Sequence, residues 1–194
     1  MEELKVGQVI ISKQVEDSEN YQNFKEIAKE KRIKVMVVKK GDKLKIEKDL
    51  YLDILWPNNS KQISENVLNN NSIVCKLTYN SFSTLFTGDI EEIAEYQILK
   101  EYKNNLEILK SSVLKVGHHG SKTSSMQNFI KTVNPKIALI GVGQNNKFGH
   151  PNNDVINRLE NLGCKIFRTD KMGEISIQVN KEGKIKAAAY IEAH

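Results

Sequence analysis

The sequence predicts a layered α/β protein with more than one β-sheet. Two patterns indicate this class: some strand-length apolar runs follow one another as in antiparallel meanders, and others alternate with helical patterns as in βαβ units. The chain has 194 residues, of which 39% are hydrophobic and 27% are charged, so it can bury one good-sized core. We therefore expect residues 1–194 to form a single domain.

Composition limits the function classes. No apolar run approaches the roughly 18 residues of a membrane helix, and the first residues lack a signal-peptide profile, so we expect the chain itself to be soluble. The formal net charge of +5 comes mostly from lysine and would help association with a polyanion, but on charge alone a solvated lysine-rich surface is the favoured explanation. Cys75 and Cys164 lie far apart in or beside apolar runs, which favours buried free thiols.

The first part of the chain begins with a βαβ-like unit and continues with antiparallel strands. Ser18 is a plausible N-cap, and Pro57 ends the last of these strands. The asparagine-rich residues 58–71 predict a loop. The predicted elements are a buried strand at 6–12, a helix at 18–31, and strands at 33–38, around 44–46 and at 51–56.

The remainder of the chain predicts a hairpin and then strands that alternate with helices. The hairpin turns at Asn80-Ser81 and leads through Gly88-Asp89 into a helix. The predicted elements are strands at 72–79 and 82–87, a helix to about 102, a strand at 113–116, a helix at 125–133, a strand at 137–142, a helix at 152–162, and strands at 165–169, 173–179 and 184–191.

Three polar turns carry the candidate chemistry. Asp89 lies in FTGDI, His118 and His119 lie in GHHGS, and His150 lies in FGHP. Each turn follows an apolar strand and precedes a helical pattern. Because binding crevices form at the carboxyl ends of strands, we expect these side chains to share one crevice. Structural roles are the alternatives: Asp89 could be a helix N-cap, and the histidines could be packed and satisfied.

The residue types in this crevice suit a metal and an anion. Imidazole nitrogen is a good zinc ligand, and a carboxylate supplies oxygen. Ser121 and Lys122 open a run of hydroxyl and ammonium donors that could bind an oxyanion. The set therefore suggests metal-assisted hydrolysis of a phosphoester.

The order of these motifs resembles a known family. FTGDI, LKVGHHGSKTSS, PKIALIGVGQNNKFGHP and FRTDKMGEISI are similar to the carboxyl-terminal half of a metallo-β-lactamase-fold domain. The most similar known group is the extracytoplasmic domain of bacterial DNA-internalisation competence channels. The resemblance covers about residues 6–177. Its specificity comes from the combination of GD, GHHGS and GHP and not from any one of these motifs.

This resemblance implies an αββα sandwich of the metallo-β-lactamase type. It also implies two divalent metals, zinc or manganese, in a phosphodiesterase or nuclease centre. The substrate would be DNA, preferably single-stranded, and the parent protein would be membrane-anchored, with the rest of its channel as a partner.

The resemblance also implies roles for individual residues. Asp89 matches the aspartate that bridges the two metals, and His118 matches a histidine that completes one metal's shell. His119 and His150 would contact the scissile phosphate or transfer protons, and Ser121 and Lys122 would bind substrate. The sequence does not separate the roles of His118 and His119.

The sequence departs from the family pattern in one large respect. The HxHxDH motif, which supplies most metal ligands in this fold, is absent, and no histidine precedes His118. Residues 69–71 are asparagines in a region where many relatives carry a further histidine. We therefore expect an N-terminally truncated domain that alone is poorly metallated and inactive. A sheet that lacks its first strands would expose an edge, which predicts self-association.

Two other functions fit the same residues. One is a non-catalytic module that binds nucleic acid or a protein partner through its basic surface. The other is a hydrolase of small phosphoesters, such as a choline phosphate on a cell wall, because related metallo-hydrolases include such esterases.

Overall fold

The computed structural model describes residues 5–13 and 17–191. Several strands follow one another directly in the first part of this range, and strands alternate with helices over residues 82–168. The strands are β1 (Gln8–Ser12), β2 (Lys34–Val38), β3 (Lys43–Glu47), β4 (Leu50–Trp56), β5 (Val74–Tyr79), β6 (Phe82–Phe86), β7 (Val113–Lys115), β8 (Ile137–Ile140), β9 (Lys165–Arg168), β10 (Ile175–Val179) and β11 (Ile185–Ala189). The α-helices are α1 (Glu19–Glu30), α2 (Val67–Asn70), α3 (Glu92–Glu101), α4 (Gln127–Val133), α5 (Asn153–Asn161) and α6 (Thr169–Met172).

One central sheet contains seven strands in the order β3-β4-β5-β6-β7-β8-β9. Strands β3 to β6 pair antiparallel, and β6 to β9 pair parallel. Two small sheets complete the architecture, the parallel pair β1-β2 and the antiparallel pair β10-β11. The predicted α/β class with more than one sheet is confirmed.

The core lies between the central sheet and the helices that cross it. Leu85 of β6, Leu114 of β7 and Ala138 of β8 are buried in it because parallel strands with covered faces are apolar on both sides. The helices contribute buried side chains from their inner faces: Ala94 and Ile98 of α3, Phe129, Ile130 and Val133 of α4, and Val155 and Leu159 of α5. This core fixes the ends of the parallel strands.

The pair β1-β2 is less buried than the sequence predicts. Strand β1 is exposed at Gln8 and half-buried over its other residues, so the prediction of a buried first strand is wrong. In β2, Val35 is 38% exposed and Val37 is 53% exposed. Within the described ranges β1 and β2 pair only with each other.

Several boundaries differ from the predictions. Helix α3 begins at Glu92 with Glu91 at its N-cap position, so Asp89 lies in the preceding turn and is not the cap. Helix α2 and a 3₁₀ helix, Leu106–Leu109, form where no helix is predicted. Helix α4 starts at Gln127 because Ser125 has a left-handed backbone with φ of 58°. The Ser18 cap is confirmed, since its hydroxyl accepts the Tyr21 N–H at 3.3 Å.

Strand β9 ends earlier than predicted. The chain turns into the short helix α6 at Thr169, the residue at which the sequence predicts the strand to end. No helix within residues 5–13 and 17–191 combines the length and apolar character of a membrane span.

Candidate functional site

The candidate residues follow three consecutive parallel strands and lie at one edge of the central sheet. Strands β6, β7 and β8 run in the same direction, and their carboxyl ends lead to Asp89, to His118 and His119, and to the loop that holds His150. The ring centroids of His118 and His150 are 5.7 Å apart, and those of His118 and His119 are 6.5 Å apart. The structure therefore brings these four side chains together.

His118 and His119 lie in a strained turn. Both have left-handed backbones, with φ of 45° and 54°, and Gly120 follows with φ of 80°. Such conformations cost about 1 kcal/mol or more for non-glycine residues and persist where surrounding contacts fix them. Here the His118 N–H donates to Gly88 O at 3.0 Å, and the Ser121 N–H donates to His118 O at 2.8 Å. The turn is thereby tied to the Asp89 loop.

Gly120 permits a close approach between the two histidine loops. A Cβ at this position would lie 2.6 Å from the Pro151 Cβ, closer than side chains pack. Gly120 O also accepts the Asn152 N–H at 2.8 Å. Because of these contacts, the loop that holds His150 packs directly on the GHHGS turn.

The hydrogen bond of His119 defines its tautomer. Its Nδ1 lies 2.6 Å from Gly141 O, and a carbonyl only accepts, so Nδ1 carries the proton and donates. In the neutral ring Nε2 then holds a free lone pair, and it lies 3.8 Å from the Asp89 Oδ1. Both side chains are about half exposed, so a nitrogen and an oxygen donor face each other at a solvent-accessible edge.

His118 faces a different carboxylate. Its Nδ1 lies 3.4 Å from the Glu91 Oε1, at the distance of an ion pair, yet it makes no hydrogen bond. The same Glu91 oxygen accepts the Thr123 hydroxyl at 3.0 Å, and the other oxygen accepts the Asn66 Nδ2 at 2.6 Å. Glu91 is therefore a buried junction behind the histidine turn. The motif GDIEE places this residue two positions after Asp89, which is the signal that the sequence offered for it.

Asn146 and Phe148 hold His150. The Asn146 side chain accepts the His150 N–H at 2.9 Å and donates to His150 O at 2.7 Å. The Phe148 ring stacks on the imidazole with centroids 5.8 Å apart and planes 18° apart. Burial, together with the nearby charges of His118 and His119, lowers the pKa of His150. The imidazole is therefore neutral at neutral pH and can accept a proton.

The predicted substrate-binding residues differ in their surroundings. The Ser121 side chain is buried, and its hydroxyl lies 3.1 Å from the Thr123 hydroxyl, so it serves the turn itself. Lys122 is exposed beside the histidine turn. Lys115, which the sequence did not single out, is half-buried under the site and donates to Val116 O at 3.2 Å. Burial lowers the pKa of Lys115, while the Asp89 carboxylate opposes that change.

A cavity of about 420 Å³ adjoins the histidines. Its wall includes Gly141, Val142 and Gly143, together with the rings of His119, Phe148 and His150. A larger cavity of about 690 Å³ lies elsewhere, between Lys39–Asp42, β4 and Tyr102. The larger cavity contains none of the candidate catalytic groups, so the site chemistry belongs to the smaller one.

The chain is a relative of bacterial competence proteins. Over 171 residues, 88% of this chain, it is 34% identical to ComE operon protein 3 of Bacillus subtilis (strain 168). Over 131 residues, 68% of this chain, it is 34% identical to Competence protein ComA of Neisseria gonorrhoeae. These similarities confirm the resemblance carried by the GD, GHHGS and GHP motifs. The chain spans about a fifth of the length of these two relatives, 21% and 18% respectively.

Comparison with family models and solved structures gives only a distant likeness in fold. No protein-family model matches the chain. The metallo-β-lactamase-fold protein YhfI of Bacillus subtilis superposes on 93% of this chain and 66% of its own, with a TM-score of 0.47 and 11% identity. Such a distant likeness has no bearing on activity.

The described residues do not by themselves fit a resident metal ion. Asp89 and His119 offer two facing donors, whereas zinc sites in proteins use at least three protein ligands. Within residues 5–13 and 17–191, no group of three or more His, Cys, Asp or Glu side chains could hold a metal. His118 and His150 stand beside the facing pair, but they do not complete such a group.

Proposed function

We propose that this chain is part of a metal-dependent phosphodiesterase or nuclease domain that acts on DNA in a DNA-uptake protein. Its sequence relatives include a protein named for competence, and they are about five times longer than the matched region. The complete protein would be anchored in a membrane with this domain outside the cytoplasm, and its channel would be the partner of the domain.

The facing pair of Asp89 and His119 carries this proposal. His119 is held by Gly141 O so that a bare nitrogen points at a carboxylate oxygen 3.8 Å away. Mixed nitrogen and oxygen donors suit zinc and manganese. The geometry therefore favours His119 as the histidine that acts with Asp89. His118, which the family pattern favours for that role, faces Glu91 instead.

Other side chains at this edge suit a phosphodiester substrate. A neutral His150 is able to accept a proton close to His118. The ammonium group of Lys122 is exposed and would attract a phosphate. Two divalent metals, zinc or manganese, would polarise the phosphate in the complete domain. With only two facing donors among residues 5–13 and 17–191, this chain alone would bind metal weakly and would be inactive.

Metal titration and a cleavage assay test the proposal together. Zinc or manganese is titrated calorimetrically into the parent chain, Asp89→Asn, His119→Gln and the surface control Asp154→Asn. We expect weak binding that both site variants abolish and the control retains. Binding that neither site variant changes would overturn the proposed donor pair.

The parent chain and Asp89→Ala are then incubated with metal and 5′-labelled single-stranded DNA. We expect no cleavage above background from the parent chain. Robust cleavage that Asp89→Ala abolishes would contradict the inactivity of this chain while supporting the nuclease. Cleavage of a small phosphodiester but not of DNA would replace the nuclease with a small-ester hydrolase.

A non-catalytic nucleic-acid-binding module is the second candidate. The lack of a third donor within the described residues favours it, as does the net charge of +5. This function predicts salt-sensitive DNA affinity that neither a chelator nor His118→Ala changes. Affinity that collapses with chelator would exclude it.

A further inference from the structure

Phe148 is an exposed aromatic side chain beside the candidate catalytic edge. The residue is 81% exposed. It nevertheless has a defined orientation, because it lies nearly parallel to the His150 imidazole with centroids 5.8 Å apart. The outer ring face is therefore free, while the inner face is stacked.

The loop that carries this ring is internally braced. The Asn146 side chain donates to Gly143 O at 3.1 Å and to His150 O at 2.7 Å, and accepts the His150 N–H at 2.9 Å. At the start of the same loop, the Thr169 hydroxyl donates to Val142 O at 2.8 Å and accepts the Val142 N–H at 2.7 Å. The side chains of Asn146 and Thr169 thus fix the loop at two places.

The adjoining cavity of about 420 Å³ has the chemistry of a site for a flat, uncharged ring. Its volume lies within the range of small-molecule sites, and Val142, Phe148 and glycine backbone line it. The lining itself contains no carboxylate, so a cationic headgroup would depend there on the aromatic faces alone. The neighbouring Lys147 is exposed and carries the charge that a phosphate backbone requires.

We infer that Phe148, His150 and this cavity form a nucleobase-binding subsite for single-stranded nucleic acid, next to the Asp89–His119 pair. The inference rests on the proposed function and deepens it by naming unpaired bases as what the site recognises. Bases stack on aromatic side chains with little sequence preference because every base has a π-face. In a duplex the bases stack on one another and do not reach such a ring.

Binding without cleavage tests the subsite independently of the nuclease. Fluorescence anisotropy measures the affinity of the chain for a labelled twelve-nucleotide thymidine strand in excess chelator. Phe148→Ala should weaken binding about tenfold, and Phe148→Trp should restore it. A strand of equal length and charge with abasic positions should bind the parent chain and Phe148→Ala equally. Tyr96→Ala, which removes a 60% exposed ring on α3, is the matched control and should bind like the parent.

A parent chain with no measurable affinity, or an affinity that Phe148→Ala leaves unchanged, would overturn the subsite. Loss of thymidine-strand binding on addition of phosphocholine, without competition by free nucleosides, would assign the cavity to a small ester and also overturn it. Base-dependent binding without any metal-dependent activity would keep the subsite and reject the nuclease. Metal-dependent cleavage that Phe148→Ala leaves unchanged would support the nuclease and reject the subsite.

Discussion

The Glu91 Oε1 lies 3.4 Å from the His118 Nδ1 but accepts its hydrogen bond from the Thr123 hydroxyl at 3.0 Å. The Asn66 side chain donates to the second Glu91 oxygen at 2.6 Å. One buried carboxylate therefore connects the loop before α2, the start of α3 and the GHHGS turn. This connection explains how the turn keeps two successive left-handed histidines in place.

Glu91→Ala should destabilise the fold by about 1–3 kcal/mol, because the part-buried hydrogen bonds from Asn66 and Thr123 lose their acceptor. Glu91→Gln should cost less, since it retains a carbonyl oxygen. Chemical denaturation measures the free energy of unfolding of both variants. The exposed neighbour Glu92→Ala is the control and should change it by less than about 0.5 kcal/mol. An equally small change in Glu91→Ala would contradict the bracing role.

Glu95 should make stability depend on pH. This buried side chain accepts the Ser125 N–H at 2.6 Å and the Met126 N–H at 2.7 Å, just before α4. Burial nevertheless raises the pKa of Glu95 from its ordinary 4.5 to about 7. The folded chain then binds more protons than the unfolded chain between these values, so the free energy of unfolding should fall as pH rises from about 4.5 to about 7.

Glu95→Gln is the test of that pH dependence. The variant cannot ionise, so its free energy of unfolding should vary less with pH in this window. Glu107→Gln, which removes a carboxylate that is 73% exposed, should keep the parent's slope. Denaturation curves at several pH values between 4 and 8 provide the comparison. Identical slopes in the parent chain and in Glu95→Gln would show that another group is responsible.

The sequence predicts the parallel half of the fold best. Strand-length apolar runs such as those around Leu114 and Ala138 are separated by amphipathic helices. This local periodicity predicts both the type of each secondary-structure element and the order of the elements along the chain. Strand β1 was misjudged because an apolar run does not reveal whether a covering layer exists. Ser125 shows a second limit: it lies in a polar run, but its left-handed backbone depends on contacts from α3.

The sequence also predicts only part of the candidate site. The grouping of Asp89 with the histidines follows from strand direction, which local patterns reveal. Local patterns do not reveal the different surroundings of His118 and His119. His119 depends on Gly141 O, 22 positions away along the chain, and His118 depends on Glu91, 27 positions away. The position of Phe148 over His150 likewise depends on the Asn146 clamp and not on a motif.

Gly120→Ala should separate the two histidine loops. The new methyl group would lie 2.6 Å from the Pro151 Cβ, at a backbone φ of 80° that alanine rarely adopts. We expect a destabilisation of about 1–3 kcal/mol and altered His150 ring resonances in NMR spectra. Gly149→Ala is a matched control, because its φ of 68° carries the same strain in open space. Equal effects of the two substitutions would show that strain alone, and not the contact with Pro151, matters.

Self-association through the β1-β2 pair remains a prediction, and the exposed valines define its test. Val35 and Val37 lie on one face of β2, and exposed strands invite pairing with another chain. Light scattering at increasing concentration should show dimers or larger species for the parent chain. Val37→Lys should shift the equilibrium toward the monomer by placing charge on that face. Ile46→Lys on β3, which removes another exposed apolar side chain, is the control and should associate like the parent. A parent chain that stays monomeric at high concentration would reject the prediction, and dissociation by Ile46→Lys alone would move the contact to the β3 edge of the central sheet.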